Sequence, residues 1–151
     1  MAEHRITTRW TRDGGPYERG NYVKEHAIRF QGGQSFTSSA AADLGGDPTA
    51  ADPEQILLAA LSSCHMLTFL AVAANRGYTL DEYADDAECF VGKDADGRTM
   101  VTRAILRPRA TFSGEKRPSA EEYAQLHARS HKACFIANSV RTDVQLEPSM
   151  G

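Results

Sequence analysis

Apolar positions follow two patterns along the chain. Between residues 52 and 75, "DPEQILLAALSSCHMLTFLAVAAN", they run almost without interruption. The signals at its ends predict a helix: Asp52 as N-cap, Pro53 where its missing N–H costs nothing, Gln55 placed to complete a capping box, and Gly77 as the stop. Being apolar on nearly every side, this helix must be wrapped by the rest of the chain or by a partner subunit. Residues 56–74 are just long enough to cross a bilayer, but the stretch contains Ser62, Ser63, His65 and Thr68 and has no basic flank on its N-terminal side. A histidine at mid-bilayer is costly, so no membrane partner is expected.

Elsewhere the period is two. In "NYVKEHAIRF", residues 21–30, Tyr22, Lys24, His26, Ile28 and Phe30 fall on one face of a predicted strand, with Lys24 an odd residue to aim inward. "DDAECFVG" and "TMVTRAILRPRATF" flank "KDADGR", whose Asp96–Gly97 pair marks a hairpin turn. "PSAEEYAQLHARSHKA" predicts a second helix, with a capping box from Ser119 and Glu122 and a stripe of Tyr123, Leu126 and Ser130. After "CFIANS", the segment "VRTDVQLE" alternates, with Val140, Thr142, Val144 and Leu146 on one face of a closing strand. Residues 31–52 are rich in Gly, Ser and Ala without a sustained period and predict a long loop, of the kind that serves a site or a partner. Strands, long helix, hairpin, helix and final strand do not alternate as βαβ units, so the expected class is α+β with antiparallel sheets.

Composition narrows the function. At 151 residues, with 41% hydrophobic and 25% charged residues, the chain fits one domain, residues 1–151. Its net charge of −3 is interspersed, without the basic face that nucleic acid requires. "MAEHRITTRW" lacks the apolar core of a secretion signal, so a cytoplasmic location with reduced thiols is expected. Three cysteines, Cys64, Cys89 and Cys134, are an odd number without CxxC spacing, which argues against a disulfide framework or a four-thiolate zinc site and leaves reactive thiols. His127 and His131 have the i, i+4 spacing of a zinc pair but no supporting acidic ligand, and no metal is expected.

Cys64 lies on the helical face of Leu57, Leu61, Leu67 and Ala71, and on composition alone would be a small core residue. Cys134 opens a new segment, where a helix N-terminus would stabilise its thiolate. The two could meet as a dithiol pair, although spacing does not decide it. His65 projects about a hundred degrees away from Cys64, so a hydrogen-bonded role in the core or at a subunit interface is expected for it rather than that of a base. Cys89 reads as a half-buried strand residue and Asn138 as a turn cap.

"DPEQILLAALSSCHMLTFLAVAANRGY", followed by "YADDAE" and "HARSHKACFIANSV", resembles the OsmC/Ohr family, which includes organic hydroperoxide resistance proteins, over about residues 17–146. The most specific parts are the P-E-x-(I/L)-L start, the S-S-C-H-M-L centre and the C-F-I-A-N-S segment. The resemblance implies an OsmC-like α+β fold, with antiparallel sheets wrapped around the long helix in an intertwined homodimer. It implies a thiol-dependent peroxidase for organic (alkyl or fatty-acid) hydroperoxides in oxidative or osmotic stress defence. Cys64 matches the attacking thiol, which would become a sulfenic acid, and Cys134 the resolving thiol that condenses with it to a disulfide. No cofactor is implied beyond an external dithiol reductant of dihydrolipoyl type. Glu54 matches the glutamate that holds the family's thiolate-stabilising arginine. That arginine's own position, in the pattern Y-x-R-x-H, is occupied by Lys24, a point charge without the planar fork. Lys24 and Arg19, in the preceding loop, remain equal candidates for the cation. Leu57, Leu61, Met66, Leu67, Phe69 and Phe135 are expected to form an apolar approach. Two alternatives stand beside the peroxidase: a stress protein binding an apolar ligand at the dimer interface, and a thiol/disulfide oxidoreductase.

Overall fold

The computed structural model describes residues 1–151, which form two compact units, Met1–Ile56 and Leu57–Gly151. The first is built of short strands: β1 (Ile6–Arg9), β2 (Tyr17–Glu18), β3 (Asn21–Tyr22), β4 (His26–Phe30) and β5 (Ser35–Ser38). Antiparallel β1, β4 and β5 form a sheet in the order β1-β4-β5, and β2 pairs with β3 as a separate hairpin. Arg19 and Gly20 make the turn of that hairpin, Gly20 at a φ of +76° that suits glycine.

Two expectations are corrected here. The strand predicted across residues 21–30 is broken at residues 23–25, because side chains take over the backbone groups that a ladder would need. Trp10 Nε1 donates to the Val23 carbonyl (2.8 Å), the Lys24 N–H donates to Glu25 Oε2 (3.2 Å), and His26 Nδ1 lies 2.9 Å from the Lys24 carbonyl. Lys24 therefore does not sit in a strand alternation. The predicted loop over residues 31–52 contains β5 and a 3-10 turn at Ala42–Leu44. Its inward positions are Phe36, partly buried, and Ser38, fully buried with its hydroxyl donating to the Ala51 carbonyl (2.8 Å), so only one of the two is apolar and no period shows.

The long helix α1 (Pro53–Asn75) starts as predicted: the Asp52 N–H donates to Gln55 Oε1 (3.1 Å) and the Gln55 N–H to Asp52 Oδ1 (2.7 Å). Gly77, with φ +77°, follows its end. One stripe of α1 is buried, Leu61, His65, Phe69 and Ala73, spaced four apart. Leu67, on another face, is 59% exposed, so this chain alone does not wrap the helix.

The second unit contains β6 (Thr79–Asp85), β7 (Glu88–Lys93), β8 (Thr99–Leu106), β9 (Pro108–Ser113), α2 (Ala120–Ala133), β10 (Asp143–Leu146) and β11 (Ser149–Met150). The hairpin β7–β8 closes through Asp94, whose carboxylate accepts the N–H groups of Asp96 and Arg98, with Gly97 at φ +78°. "TMVTRAILRPRATF" is two strands rather than one: Pro108 has no N–H to donate, and the Arg107 N–H leaves the ladder for Asp85 Oδ1 (2.6 Å). β8 and β9 consequently belong to different sheets, ordered β10-β8-β7 and β11-β9-β6. The C-terminal strands join these sheets in parallel, β10 on β8 and β11 on β9, while β7–β8 and β6–β9 are antiparallel. Val140, Thr142, Val144 and Leu146 are all partly buried, as their alternation requires. The fold is α+β.

Helix α2 carries the predicted capping box, with Ser119 and Glu122 bonded reciprocally, and buries Tyr123, Leu126, His127 and Ser130. Phe69 and Ala73 of α1 pack with Tyr78, Ala110, Phe112, Tyr123 and Leu126 into the core of this unit. Phe69 touches four other aromatic rings, with centroids 4.3 Å from His127, 5.6 Å from Tyr83, 5.9 Å from Tyr123 and 6.4 Å from Phe112. Ser62 ties the same helix to β6 through Asp85 Oδ2 (2.5 Å).

Candidate active site

Helices α1 and α2 bring Cys64 and Cys134 together within the second unit. Cys64 sits mid-helix and is partly exposed, whereas Cys134 ends α2 and is 1% exposed. The segment after α2 turns sharply: the Ala137 N–H lies 3.4 Å from Cys134 Sγ, the Asn138 N–H donates to the Cys134 carbonyl (3.0 Å), and Asn138 Nδ2 donates back to the Lys132 carbonyl (3.1 Å). Asn138 thus caps the turn. The turn leaves the backbone N–H groups of Phe135 and Ile136 near enough to Cys64 to favour a negative charge on it.

The two thiols are electrostatically unlike. Burial works against a charge on Cys64, but the Cys134 thiol, the N–H groups of Ile136 and Phe135, and the Thr68 hydroxyl outweigh it and hold the Cys64 thiol below its ordinary pKa. Burial and the adjacent Cys64 push Cys134 in the opposite direction. These surroundings favour the thiolate on Cys64 and the protonated thiol on Cys134, an arrangement suited to nucleophilic attack by Cys64. Both thiols are free. Thr68 Oγ1, on the same helix, lies 2.8 Å from the Cys64 carbonyl, so its one proton is shared between that carbonyl and the thiol. Its i+4 spacing from Cys64 is a signal the sequence carried; the Phe135 and Ile136 N–H donors leave no mark in residue identity.

The other predicted site residues lie in the first unit. Lys24 is partly buried, its Nζ over the Tyr22 ring at 4.7 Å from the centroid. It lines an open cleft of about 570 Å³ together with Trp10, Tyr17, Tyr22, His26 and Pro53. Glu54, partly buried, follows Pro53 in the first turn of α1. Arg19 is exposed on the hairpin turn and is not part of the cleft lining. The expected apolar approach divides: Leu61 and Phe69 are core residues at 1% and 0% exposure, while Leu67 and Phe135 are open at 59% and 80%. On a helix apolar on nearly every side, residue type does not distinguish the stripe that faces the core, Leu61 and Phe69, from the one left open at Leu67.

His65 meets the hydrogen-bonded core role expected of it. Its Nε2 lies 3.0 Å from His127 Nδ1, with both residues buried and the rings 4° from parallel. Cys89 is half-buried in β7 opposite Ala104.

The OsmC family model, described as OsmC-like protein, matches residues 45–149, taking in both helices, all three cysteines and Glu54. The chain belongs to the OsmC family. A solved OsmC-like protein of unknown function from Vibrio cholerae is 38% identical, with 99% of this chain and 100% of that one covered at a TM-score of 0.95. An organic hydroperoxide resistance protein from Elizabethkingia anophelis shares the fold at 18% identity, TM-score 0.70, with 100% and 96% of the two chains covered. The organic hydroperoxide resistance protein OhrB of Bacillus subtilis does so at 18% identity, TM-score 0.63, covering 99% and 98%. No curated protein matches the chain.

Proposed function

We propose that this OsmC-family protein is a thiol-dependent peroxidase that reduces organic hydroperoxides in the cytoplasm. The observation that carries the reading is the division of labour between Cys64, whose thiolate is favoured, and Cys134, a buried thiol in hydrogen-bonding contact with it. In the proposed cycle the Cys64 thiolate attacks the terminal oxygen of ROOH, the O–O bond breaks, and the alcohol leaves with a proton. Cys64 is then a sulfenic acid. The Cys134 sulfur displaces water from it, forming the Cys64–Cys134 disulfide, and an external dithiol of dihydrolipoyl type restores both thiols by two exchange steps. Exposed Phe135 and Leu67 would favour an alkyl chain over hydrogen peroxide at the thiolate. Glu54 and Lys24 are proposed as the carboxylate and cation of the reaction. Lys24 is preferred to Arg19 because it is partly buried, where solvent screens a charge less, whereas Arg19 is exposed.

The functional state is proposed to be a homodimer, since α1 leaves Leu67 open although nearly all its surface is apolar. A second reading, a stress protein binding an apolar ligand, draws support from the cleft lined by Trp10, Tyr17 and Tyr22. Steady-state consumption of cumene hydroperoxide with a dithiol, by wild type, Cys64→Ser and Cys134→Ser, separates the two readings. The peroxidase requires turnover by wild type, none by C64S, and oxidation without sustained turnover in C134S. Binding of an apolar probe with no peroxide consumed by wild type would establish the alternative.

A further inference from the structure

The buried histidine pair plays no part in the chemistry above, yet it sits on the two helices that carry the cysteines. His65 follows Cys64 directly on α1, and His127 precedes Cys134 by two turns of α2. The 3.0 Å hydrogen bond between the imidazoles and the contact between the thiols are thus two attachments of one helix pair. His127 cannot swing: it stacks on Phe69 at 4.3 Å and 26° and meets Tyr123 edge-on at 4.6 Å and 89°. From His127 the helix continues to His131, whose carbonyl accepts the Cys134 N–H (3.3 Å).

Stability does not account for choosing histidine here. His65 Nδ1 and His127 Nε2 are buried without a hydrogen-bond partner, and His131 Nδ1 beside them is likewise. Two apolar side chains of similar volume would fill the space without leaving buried nitrogens unsatisfied, and replacing a buried polar pair in that way is nearly neutral or stabilising. What an apolar pair lacks is direction. An N–H···N bond between rings fixed by packing admits one register of α1 on α2, whereas apolar surfaces tolerate a slide.

We propose that His65 and His127 are positioning residues for disulfide formation, their hydrogen bond holding α1 and α2 in the register that keeps the Cys134 thiol on Cys64. This rests on Cys64 and Cys134 being a redox pair, but not on peroxide being the oxidant. Misplacement by about 1 Å can cost 10²-fold in such an intramolecular step.

The test equilibrates the full-length protein, in a Cys89→Ser background, with mixtures of oxidised and reduced dithiothreitol. Two protein thiols and the cyclic disulfide exchange for the protein disulfide and the dithiol. His127→Phe keeps the ring and its stacking but deletes the bond, and His127→Gln keeps a polar group able to reach His65. Expected is a fall of at least about tenfold in the equilibrium constant for the protein disulfide in H127F, or about 30 mV, with most of it restored in H127Q. H127F matching wild type, or H127Q no better than H127F, overturns the proposal. His65→Phe deletes the same bond from the other helix and replaces H127F if that variant does not fold; failure of both to fold, with H127Q folded, assigns the pair to stability and also overturns it. A wild type that forms the disulfide here but consumes no peroxide refutes the peroxidase and leaves the positioning role in place. A wild type that never forms the disulfide refutes both.

Discussion

Deleting the Cys134 thiol should raise the Cys64 pKa, while replacing it by a hydroxyl should not. Of the groups lowering that pKa, the Cys134 thiol ranks first, ahead of the two backbone N–H groups and Thr68. A hydrogen bond to a charged group contributes about 1.5–3 kcal/mol, and roughly 1.4 kcal/mol is a factor of ten in the thiolate-to-thiol ratio. Cys64 is partly exposed, so solvent replaces some of the lost bond and the lower figure, about a tenfold loss of thiolate, is the expectation for Cys134→Ala. Cys134→Ser retains an O–H donor and should leave the titration within a few tenths of a unit of wild type. The assay is thiolate ultraviolet absorbance against pH in a Cys89→Ser background, with the Cys64→Ser double variant as the blank. Single-turnover consumption of cumene hydroperoxide at neutral pH should follow the thiolate fraction, falling roughly tenfold in C134A and little in C134S. Neither variant can form the disulfide, so resolution does not confuse the comparison. A C134A titration that coincides with C134S would refute the assignment of Cys134 as the donor that holds the thiolate.

Acid should destabilise the protein through the histidine pair. Burial, followed for His65 by the charge of His131 and for His127 by that of His65, lowers the folded values from 6.5 to about 4 and about 3. The unfolded chain takes up protons first, so the stability is fully present above about pH 6.5 and is lost as pH falls toward 4; urea midpoints should register roughly 2–3 kcal/mol for His65 over that window, and less in His65→Phe. Leu67→Asp should yield folded monomer by light scattering where wild type is a dimer, because a carboxylate cannot be buried unpaired at an apolar interface; a wild type that is itself monomeric would contradict the dimer. Lys24→Met should lower single-turnover peroxide consumption at least about tenfold by removing the proposed cation, whereas Arg19→Met should change it less than twofold. The reverse ranking would move the cation to Arg19.

Helix boundaries were legible because their chemistry is local. Asp52 with Gln55 and Ser119 with Glu122 cap as their spacing predicts, and Gly97 turns the hairpin it marks. What residue periodicity could not carry was competition for backbone groups. Trp10, Glu25 and His26 interrupt an alternating stretch at residues 23–25, Pro108 sends one apparent strand into two sheets, and buried Ser38 hides a strand in a segment without apolar rhythm. The site divides in the same way. Cys64 and Cys134 could be named from the family resemblance, but the N–H groups of Phe135 and Ile136 that favour the thiolate arise from the fold of the turn and not from side-chain identity. His65 was recognisable as a core polar residue, yet its partner His127 lies 62 positions away, beyond the reach of any local pattern.

Peroxidatic use of the two cysteines is tested most directly by treating the fully reduced protein with one equivalent of cumene hydroperoxide, quenching with an alkylating agent and mapping the cysteines by mass. A Cys64–Cys134 disulfide formed stoichiometrically, with Cys89 alkylated, is the predicted result. Full alkylation of all three cysteines with the peroxide unconsumed would contradict it.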